Sequence, residues 1–206
     1  TLNFIMDSDT SFTTSTYNSN FSESYNSDEF SIEYDSDQNV IPGSIFQENI
    51  NSNSLNNLHN YEKYKHLEFS NNIIIPHSIL KKIQDKYDTT EYPLFFELIN
   101  YNIAMPISMI CTGSDFLEGI DNVYLPNRIM SNDLLLEEGD SIQIKYLKNV
   151  RKGEKIKIRP RTSDFLILND YRQLLKSKLI NNYSVLTEGD TIEIEIMGKI
   201  YLMDII

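Results

Sequence analysis

The sequence predicts a mostly β, α+β protein that follows a disordered polar leader. At least six short segments are β-branched or alternate apolar and polar residues, whereas only two or three have helical spacing. Residues 1–60 differ in composition, with 11 Asn, 12 Ser and nine acidic residues but no Lys or Arg. Their apolar residues follow no sustained period, so too little apolar surface is buried to offset the entropy of ordering. We therefore predict that residues 1–60 are disordered and that order begins near Tyr61.

One stretch of the leader has a second interpretation. Between Glu29 and Asp35 the sequence EFSIEYD alternates apolar with acidic residues. Such a stretch can add a strand to the sheet of a partner protein. It is a candidate linear motif within the leader.

The body of the chain divides into short strands and a few helices. Ser78 can cap the first helix, and Pro126 can begin the second, because proline is tolerated at a first helical position. A turn is predicted over 100–103. The predicted strands are 71–76, 92–100, 104–112, 122–126, 154–161 and 198–206, and the predicted helices are 78–87, 126–138 and 169–183.

Two similar stretches lie fifty residues apart, LLEEGDSIQI from Leu135 and VLTEGDTIEI from Val185. In each, a helical turn is predicted to end at a left-handed glycine, Gly139 or Gly189, and an alternating strand to begin at the following aspartate. This geometry explains the repeated Gly-Asp pair without chemistry. We therefore interpret the repeat as one structural corner that is used twice, and not as a duplicated catalytic carboxylate.

The net charge of -12 belongs mainly to the leader, because the remaining 146 residues hold 21 acidic and 18 basic residues. A nearly neutral body argues against a nucleic-acid partner, whose phosphates require many Lys and Arg contacts. Eight basic residues lie between Lys145 and Arg161. They could contact an acidic partner or RNA, but a solvated strand face is the favoured interpretation, since Tyr146 is the single aromatic residue interleaved among them for base stacking.

The residue types that carry catalysis are scarce. The single cysteine, Cys111, excludes an internal disulfide, and the three histidines lack the spacing of metal ligands. The segment CTGSD resembles the aspartic-protease signature, but Cys111 replaces the aspartate and no second copy exists. No phosphate-binding glycine loop is present, and the longest apolar stretch is too short to span a membrane. These features favour a binding module without cofactor or metal over an enzyme.

The segments IIIPHSIL, YPLFFEL, NVYLPNRIMSNDLLLEEGDSIQI, VRKGEKIKIRPRTSDFLIL and SVLTEGDTIEIEIMGKIYLMDII occur in this order. In order and spacing they resemble the N-terminal domain of the ubiquitin fusion degradation protein family, over about residues 70–206. The resemblance implies a double-psi β-barrel, over 61–159, followed by a small α/β roll, over 160–206. Arg128 departs from the family pattern, which often has an aromatic residue at this position.

The resemblance also implies a non-enzymatic function. Family members bind ubiquitin and polyubiquitin chains, and with the nuclear protein localisation homologue they form an adaptor. This adaptor delivers ubiquitinated substrates to a hexameric AAA ATPase, valosin-containing protein, for proteasomal and endoplasmic-reticulum-associated degradation. The chain stops at Ile206, before the tail through which the family generally binds its partner and the ATPase. The implied compartments are the cytoplasm and nucleus.

Two alternatives stay open. One is an organelle-specific relative that acts in protein import with a diverged ATPase, and the other is a double-psi barrel protein without ubiquitin binding. The resemblance supplies no ubiquitin-contact motif, but ubiquitin presents a small apolar patch rimmed by positive charge, so a complementary surface combines apolar side chains with acids. For the two apolar candidates, burial between barrel and roll is the favoured interpretation. The candidates, all in the roll, are Asp164, Phe165, Leu166, Glu188, Glu193 and Glu195.

Overall fold

The computed structural model describes residues 3–5, 11–13, 30–33, 43–87, 92–148, 150 and 155–206. Within these ranges the chain forms a closed barrel followed by a smaller sheet that packs with one helix. The strands are β1 (Asn3–Ile5), β2 (Ser11–Thr13), β3 (Phe30–Glu33), β4 (Gly43–Ser54), β5 (Asn72–Pro76), β6 (Leu94–Asn100), β7 (Ile107–Leu117), β8 (Val123–Leu125), β9 (Ser141–Lys148), β10 (Lys155–Pro160), β11 (Val185–Thr187), β12 (Thr191–Ile196) and β13 (Lys199–Ile205). The α-helices are α1 (Tyr61–Tyr64), α2 (His77–Lys86) and α3 (Tyr171–Asn182).

Six strands close the barrel in the order β4-β8-β5-β7-β6-β9. The pairs β4–β8 and β5–β7 are parallel, and the other pairs are antiparallel. β5 is apolar without alternation because both of its faces are covered. Ile73 and Ile75 face the barrel core, while Ile74 packs outside the barrel with Leu55 and Tyr64. The predicted fold class, a mostly β protein with a barrel, is confirmed.

The second unit, the roll, is built on the antiparallel strands β12, β13 and β10. Alternating residues of β12 are buried, as the period of two predicts. Helix α3 places Leu175 and Leu179 in the same core as Ile192 and Ile194. The strands β13 and β10 contribute four further side chains to this core, those of Met203, Ile205, Ile156 and Ile158.

Three short strands come from the first 42 residues. β1 pairs antiparallel with β11, β2 pairs with β3, and β3 pairs with β10, so the roll sheet has five strands in the order β12-β13-β10-β3-β2. For the rest of residues 1–42, the predicted disorder lies outside the described residues. None of the helices in the described ranges is long and apolar enough to cross a membrane.

The prediction that residues 43–60 belong to a disordered leader is wrong. This segment contributes β4, which pairs with β9 over Gly43–Lys148 to Asn51–Ser141 and with β8 at its end. Its sequence is rich in Asn and Ser, but its backbone is satisfied by two neighbouring strands, and tertiary pairing of this kind overrides propensity. β10, predicted within the barrel, pairs only with roll and leader strands among the described residues, so the roll begins earlier than residue 160.

The predicted helix boundaries also change. Helix α2 begins at His77, its N-cap is Pro76, and Ser78 lies inside the first turn instead of capping it. The helix predicted over 126–138 shortens to a single π-helical turn, Ile129–Asp133, after which the chain is irregular. The predicted turn at 100–103 is longer, since β6 ends at Asn100 and β7 starts at Ile107.

The repeated Gly-Asp stretches form equivalent turns. The N–H of Asp140 donates to the Glu137 carbonyl, and the N–H of Asp190 donates to the Thr187 carbonyl, both at 3.1 Å. The glycine before each aspartate has a positive φ, +86° at Gly139 and +93° at Gly189. The predicted left-handed glycines are confirmed. The preceding helical turns are not, because residues 134–137 are irregular and 185–187 form β11.

Each turn forms the same pair of backbone hydrogen bonds with a strand of its own subdomain. The glycine N–H donates to a carbonyl on a neighbouring strand, and the N–H of that strand residue donates back to the aspartate carbonyl. The strand residue is Ser52 in the barrel, with both distances 2.8 Å, and Ile205 in the roll, with both distances 2.9 Å. The chain thus repeats the sequence because each subdomain anchors its strand entry with the same pair of backbone hydrogen bonds.

Candidate functional site

Phe165, predicted to contact ubiquitin, is fully buried in the core of the roll. Its ring packs edge-on against Tyr171 and Tyr201, at centroid distances of 5.9 and 5.3 Å. Leu166 is partly buried against the same cluster. The prediction for Phe165 is wrong because the ring contributes more free energy inside this cluster than it would at the surface. Its burial lies within the roll, and not between barrel and roll.

Two predicted acidic residues lie at the surface of the roll, in separate places. Asp164 is in the 3-10 turn Ser163–Phe165, and its carboxylate accepts hydrogen bonds from the Lys199 ammonium and the Thr162 hydroxyl. The Lys199 ammonium, followed by Thr162, holds the pKa of Asp164 below its usual value. Glu188 is exposed in the second Gly-Asp turn.

The other two acidic candidates, Glu193 and Glu195, lie on β12 in different environments. Glu195 accepts a hydrogen bond from the Gly198 N–H at 2.6 Å and one from Lys178 Nζ at 3.3 Å, which lower its pKa. Glu193 lies closer to the barrel, where partial burial raises its pKa although the Arg128 guanidinium opposes the shift. Of the two, Glu195 is thus the one whose anion the local hydrogen bonds stabilise.

A row of exposed apolar side chains lies beside these acids. Met197 is 94% exposed at the tip of the β12–β13 hairpin, and Ile200 and Leu202 on β13 are 49% and 38% exposed. In the register, Ile200 is opposite Glu195 and Leu202 is opposite Glu193. We call Met197, Ile200 and Leu202 the hairpin patch. Sequence reasoning missed it, although the alternation in KIYLMDI would have placed Ile200 and Leu202 opposite the core-facing Tyr201 and Met203.

Arg128 joins the barrel to the roll. It follows β8 in the barrel and is only 7% exposed. Its guanidinium forms an ion pair with Asp133, donates to Asn71 Oδ1 at 2.9 Å, and donates to the Thr191 carbonyl of β12 at 3.1 Å. Asn71 in turn donates from Nδ2 to the Val185 carbonyl at 3.2 Å. These contacts fix the orientation of the hairpin patch relative to the barrel.

The carboxyl groups near Arg128 have raised pKa values. Burial raises the pKa of Asp133 despite its ion pair with Arg128. At Asp190, burial and the nearby Asp133 carboxylate raise the pKa to about 6, although Arg128 and a hydrogen bond with Thr187 oppose the shift. The buried Asp190 Oδ2 has no hydrogen-bond partner in the described part of the chain. Ionised Asp190 therefore destabilises this junction at neutral pH.

Asp190→Asn is expected to raise the free energy of unfolding by about 2 kcal/mol at pH 7.5 and to change it little at pH 4. A carboxyl group whose folded pKa is raised to about 6 contributes stability that is present below its unfolded pKa and is lost as pH rises through 6. The amide cannot ionise and avoids this loss. Urea unfolding between pH 4 and pH 8 measures the difference.

Asp204→Asn is the matched control for this prediction. Partial burial acts to raise the pKa of Asp204, but hydrogen bonds with Arg161 and Thr191 leave it lowered. Its carboxylate thus contributes stability above the unfolded pKa, so the control is expected to be destabilised at pH 7.5. If Asp190→Asn gives a pH-independent difference, or a loss at pH 7.5, the assignment of a destabilising carboxylate is wrong.

The CTGSD segment lies in β7, where its residues have packing and hydrogen-bonding roles. Cys111 is fully buried, and burial raises the pKa of its thiol well above the usual value. A Cβ at Gly113 would come within 2.9 Å of both Phe96 and Phe116, so only glycine fits there. Asp115 accepts a hydrogen bond from the Tyr64 hydroxyl at 2.7 Å. Across the described residues, no three His, Cys, Asp or Glu side chains cluster as metal ligands would.

Comparisons with known proteins match both subdomains. Residues 46–157 match the family model of "Ubiquitin fusion degradation protein UFD1, N-terminal subdomain 1", and residues 152–206 match that of N-terminal subdomain 2. These two models meet where the barrel gives way to β10. The barrel and the roll thus define the chain as the two-subdomain module that this family has at its N-terminus. The chain belongs to the ubiquitin fusion degradation protein family.

Individual relatives agree with this assignment. The human "Ubiquitin recognition factor in ER-associated degradation protein 1" is 33% identical over 135 residues, 66% of this chain and 42% of the relative. The Dictyostelium discoideum "Ubiquitin fusion degradation protein 1 homolog" is 32% identical over 148 residues, 70% of this chain and 42% of the relative. The Saccharomyces cerevisiae "Ubiquitin fusion degradation protein 1" is 30% identical over 140 residues, 67% of this chain and 36% of the relative. The chain thus spans about two fifths of the length of these relatives.

Proposed function

We propose that this chain is a non-enzymatic ubiquitin-recognition module that binds ubiquitin through the hairpin patch. The observation that carries the proposal is the exposed apolar row Met197, Ile200 and Leu202 beside the acidic strand β12. A human relative in the same family has a name that describes a ubiquitin recognition factor, which supports the same function.

The chemistry of the hairpin patch suits ubiquitin in two respects. The exposed apolar side chains of the hairpin patch can lose their water against the apolar patch of ubiquitin. In a small interface, such a desolvated centre supplies most of the affinity. Glu195 borders the row, and Asp164 lies near it through its contact with Lys199. Acidic residues at the rim would complement the positive charge around the ubiquitin patch and favour encounter. Of the predicted acidic candidates, these two remain the best placed.

The patch is small, so one ubiquitin would be bound weakly. A polyubiquitin chain offers several copies of the same apolar patch to the one hairpin patch, which raises the apparent affinity by a statistical factor of about the number of linked ubiquitins; a gain of about 10²-fold or more requires a second contact on this protein. We therefore propose that the chain prefers polyubiquitin to monoubiquitin. The test is an NMR titration of the isotope-labelled 206-residue chain, first with monoubiquitin and then with chains.

Replacing Ile200 and Leu202 together by serine is expected to weaken ubiquitin binding at least 10-fold, because the apolar contact with ubiquitin is lost. Both side chains are more than one-third exposed in the free protein, so the substitutions should change its stability little. Met105→Ser is the matched control, since Met105 is 79% exposed but lies in the barrel loop between β6 and β7. The control should bind like the wild type.

Two results would contradict the proposal. Shifts that localise away from β12 and β13 would place ubiquitin elsewhere on the chain. Absence of shifts at millimolar ubiquitin would favour the alternative function, a barrel protein that has kept the fold without ubiquitin binding.

The wider role follows from family membership and is likewise proposed. In that role the chain would be part of an adaptor that, with a nuclear protein localisation homologue, brings ubiquitinated substrates to a hexameric AAA ATPase for proteasomal degradation. The proposed compartments are the cytoplasm and nucleus, or an organelle if the protein acts in import. Co-purification of the full-length protein with the ATPase and the partner tests this role separately from ubiquitin binding.

A further inference from the structure

The two edges of the roll sheet differ in how they are covered. At β12, the Thr191 carbonyl accepts a hydrogen bond from Arg128, and the Glu193 carbonyl accepts one from the Tyr183 hydroxyl at 2.7 Å. Side chains of the folded body thus close this edge. At the other end of the three-stranded body sheet, β10 has β13 on one side and β3 of the leader on the other.

Without β3, the edge of β10 would expose unpaired backbone N–H and C=O groups, which readily pair with another extended chain. β3 covers it by antiparallel pairing over Lys155–Glu33 to Ile158–Phe30. The edge of β10 is therefore a position where a strand from elsewhere can be added, and the leader supplies one.

The register between β3 and β10 places apolar positions opposite apolar positions and an acidic position opposite a basic one. Phe30 and Ile32 pair with Ile158 and Ile156, both of which are buried in the roll core. In the same backbone register, the position of Glu33 is opposite that of Lys155. An added strand therefore needs apolar residues at every second position and acidic residues between or beside them.

Charge extends this complementarity beyond the paired residues. The ten residues from Asp28 to Asp37 contain five acidic residues and no basic ones. β10 and the residue after it supply the alternating bases Lys155, Lys157, Arg159 and Arg161. Asp204 forms ion pairs with Arg159 and Arg161 at 3.5 and 2.7 Å, so it offsets part of this charge. β10 itself contains three basic residues and no acidic ones, so its sequence suits an acidic strand better than a basic one.

The two leader strands at this end of the sheet are short. β3 has four residues and its outer neighbour β2 has three, compared with six paired residues between β12 and β13. Short added strands are marginally stable, and a tethered segment competes with an effective concentration of about millimolar. A free peptide therefore displaces β3 only at a comparable concentration or by forming a stronger pairing with β10.

We propose that the edge of β10 is a strand-addition site for an extended acidic–apolar segment of a partner protein, and that β3 occupies this site in cis as a built-in competitor. The site lies on a different strand from the hairpin patch, and the proposal does not depend on ubiquitin binding. It gives a physical role to the EFSIEYD motif of the leader.

The first test uses the full 206-residue chain with Ile32→Pro, because proline removes a backbone donor and is poorly tolerated in a paired strand. Amide hydrogen exchange at residues 155–158 is expected to become at least 10-fold faster. Ser19→Pro, a leader substitution outside the described strands, is the control and should leave exchange unchanged. Unchanged exchange in Ile32→Pro would overturn the cis occupancy.

The second test adds a synthetic peptide with the sequence of residues 26–38. It should restore protection at residues 155–158 in Ile32→Pro, bind the wild-type chain at least 10-fold more weakly because β3 competes, and weaken with salt. A peptide of the same composition with its apolar residues made adjacent should not bind. No protection by the first peptide, or equal binding of both peptides, would overturn the proposal. Neither readout involves ubiquitin, so either result leaves the hairpin-patch proposal separately testable.

Discussion

Arg128→Met is expected to lower the free energy of unfolding by about 3–5 kcal/mol at pH 7.5, because removing one partner of a buried ion pair leaves the other uncompensated. The substitution leaves the partly buried Asp133 without its cation, and it leaves Asn71 Oδ1 and the Thr191 carbonyl without their guanidinium donor. Methionine fills much of the volume, so the loss reports charge and hydrogen bonding more than a cavity. Urea unfolding followed by circular dichroism measures it.

Arg159→Met is the control for this substitution. Arg159 is about half exposed and forms an ion pair with Asp204 at 3.5 Å, so its loss should cost less than about 1 kcal/mol. A second comparison uses pH: burial raises the pKa of both Asp133 and Asp190 and the Arg128 guanidinium opposes this increase, so removal of Arg128 should cost less at pH 5, where more of these groups are protonated. A cost that is equal for both arginines would mean that Arg128 does not hold the junction.

Local patterns in the sequence predicted much of the fold. Alternation identified β12 and β13, helical spacing identified α3, and glycine chemistry identified the turns at Gly139 and Gly189. These features depend on residues close in sequence. β4 was missed because its Asn- and Ser-rich sequence carries little strand signal and its partners, β9 and β8, lie far along the chain.

The candidate site was less predictable for the same reason. The role of Arg128 depends on Asn71 and Thr191, which are 57 and 63 residues away, and no spacing rule connects them. Burial was the other difficulty. A sequence does not say whether an aromatic residue such as Phe165 points to solvent or to a core, whereas the alternation in β13 did contain the information needed to place Ile200 and Leu202 outside.

Phe165→Ala separates these two interpretations directly. The fully buried ring contacts Tyr171 and Tyr201, and truncating a buried Phe costs about 3–5 kcal/mol. The expected result is a large loss in unfolding free energy, while the fraction that remains folded binds ubiquitin as the wild type does. Ile167→Ala is the matched control, since Ile167 lies two residues away and is 80% exposed, so it should change stability by less than about 0.5 kcal/mol.

The two readouts together decide where the ring acts. If Phe165→Ala keeps wild-type stability but loses ubiquitin binding, the ring contacts ubiquitin and its burial in the roll core is wrong. A destabilised variant with intact binding in its folded fraction leaves the hairpin patch as the binding candidate. Comparing Phe165→Ala with the Ile200 and Leu202 double substitution makes this distinction sharper, because the double substitution is expected to show the opposite combination of small stability loss and large binding loss.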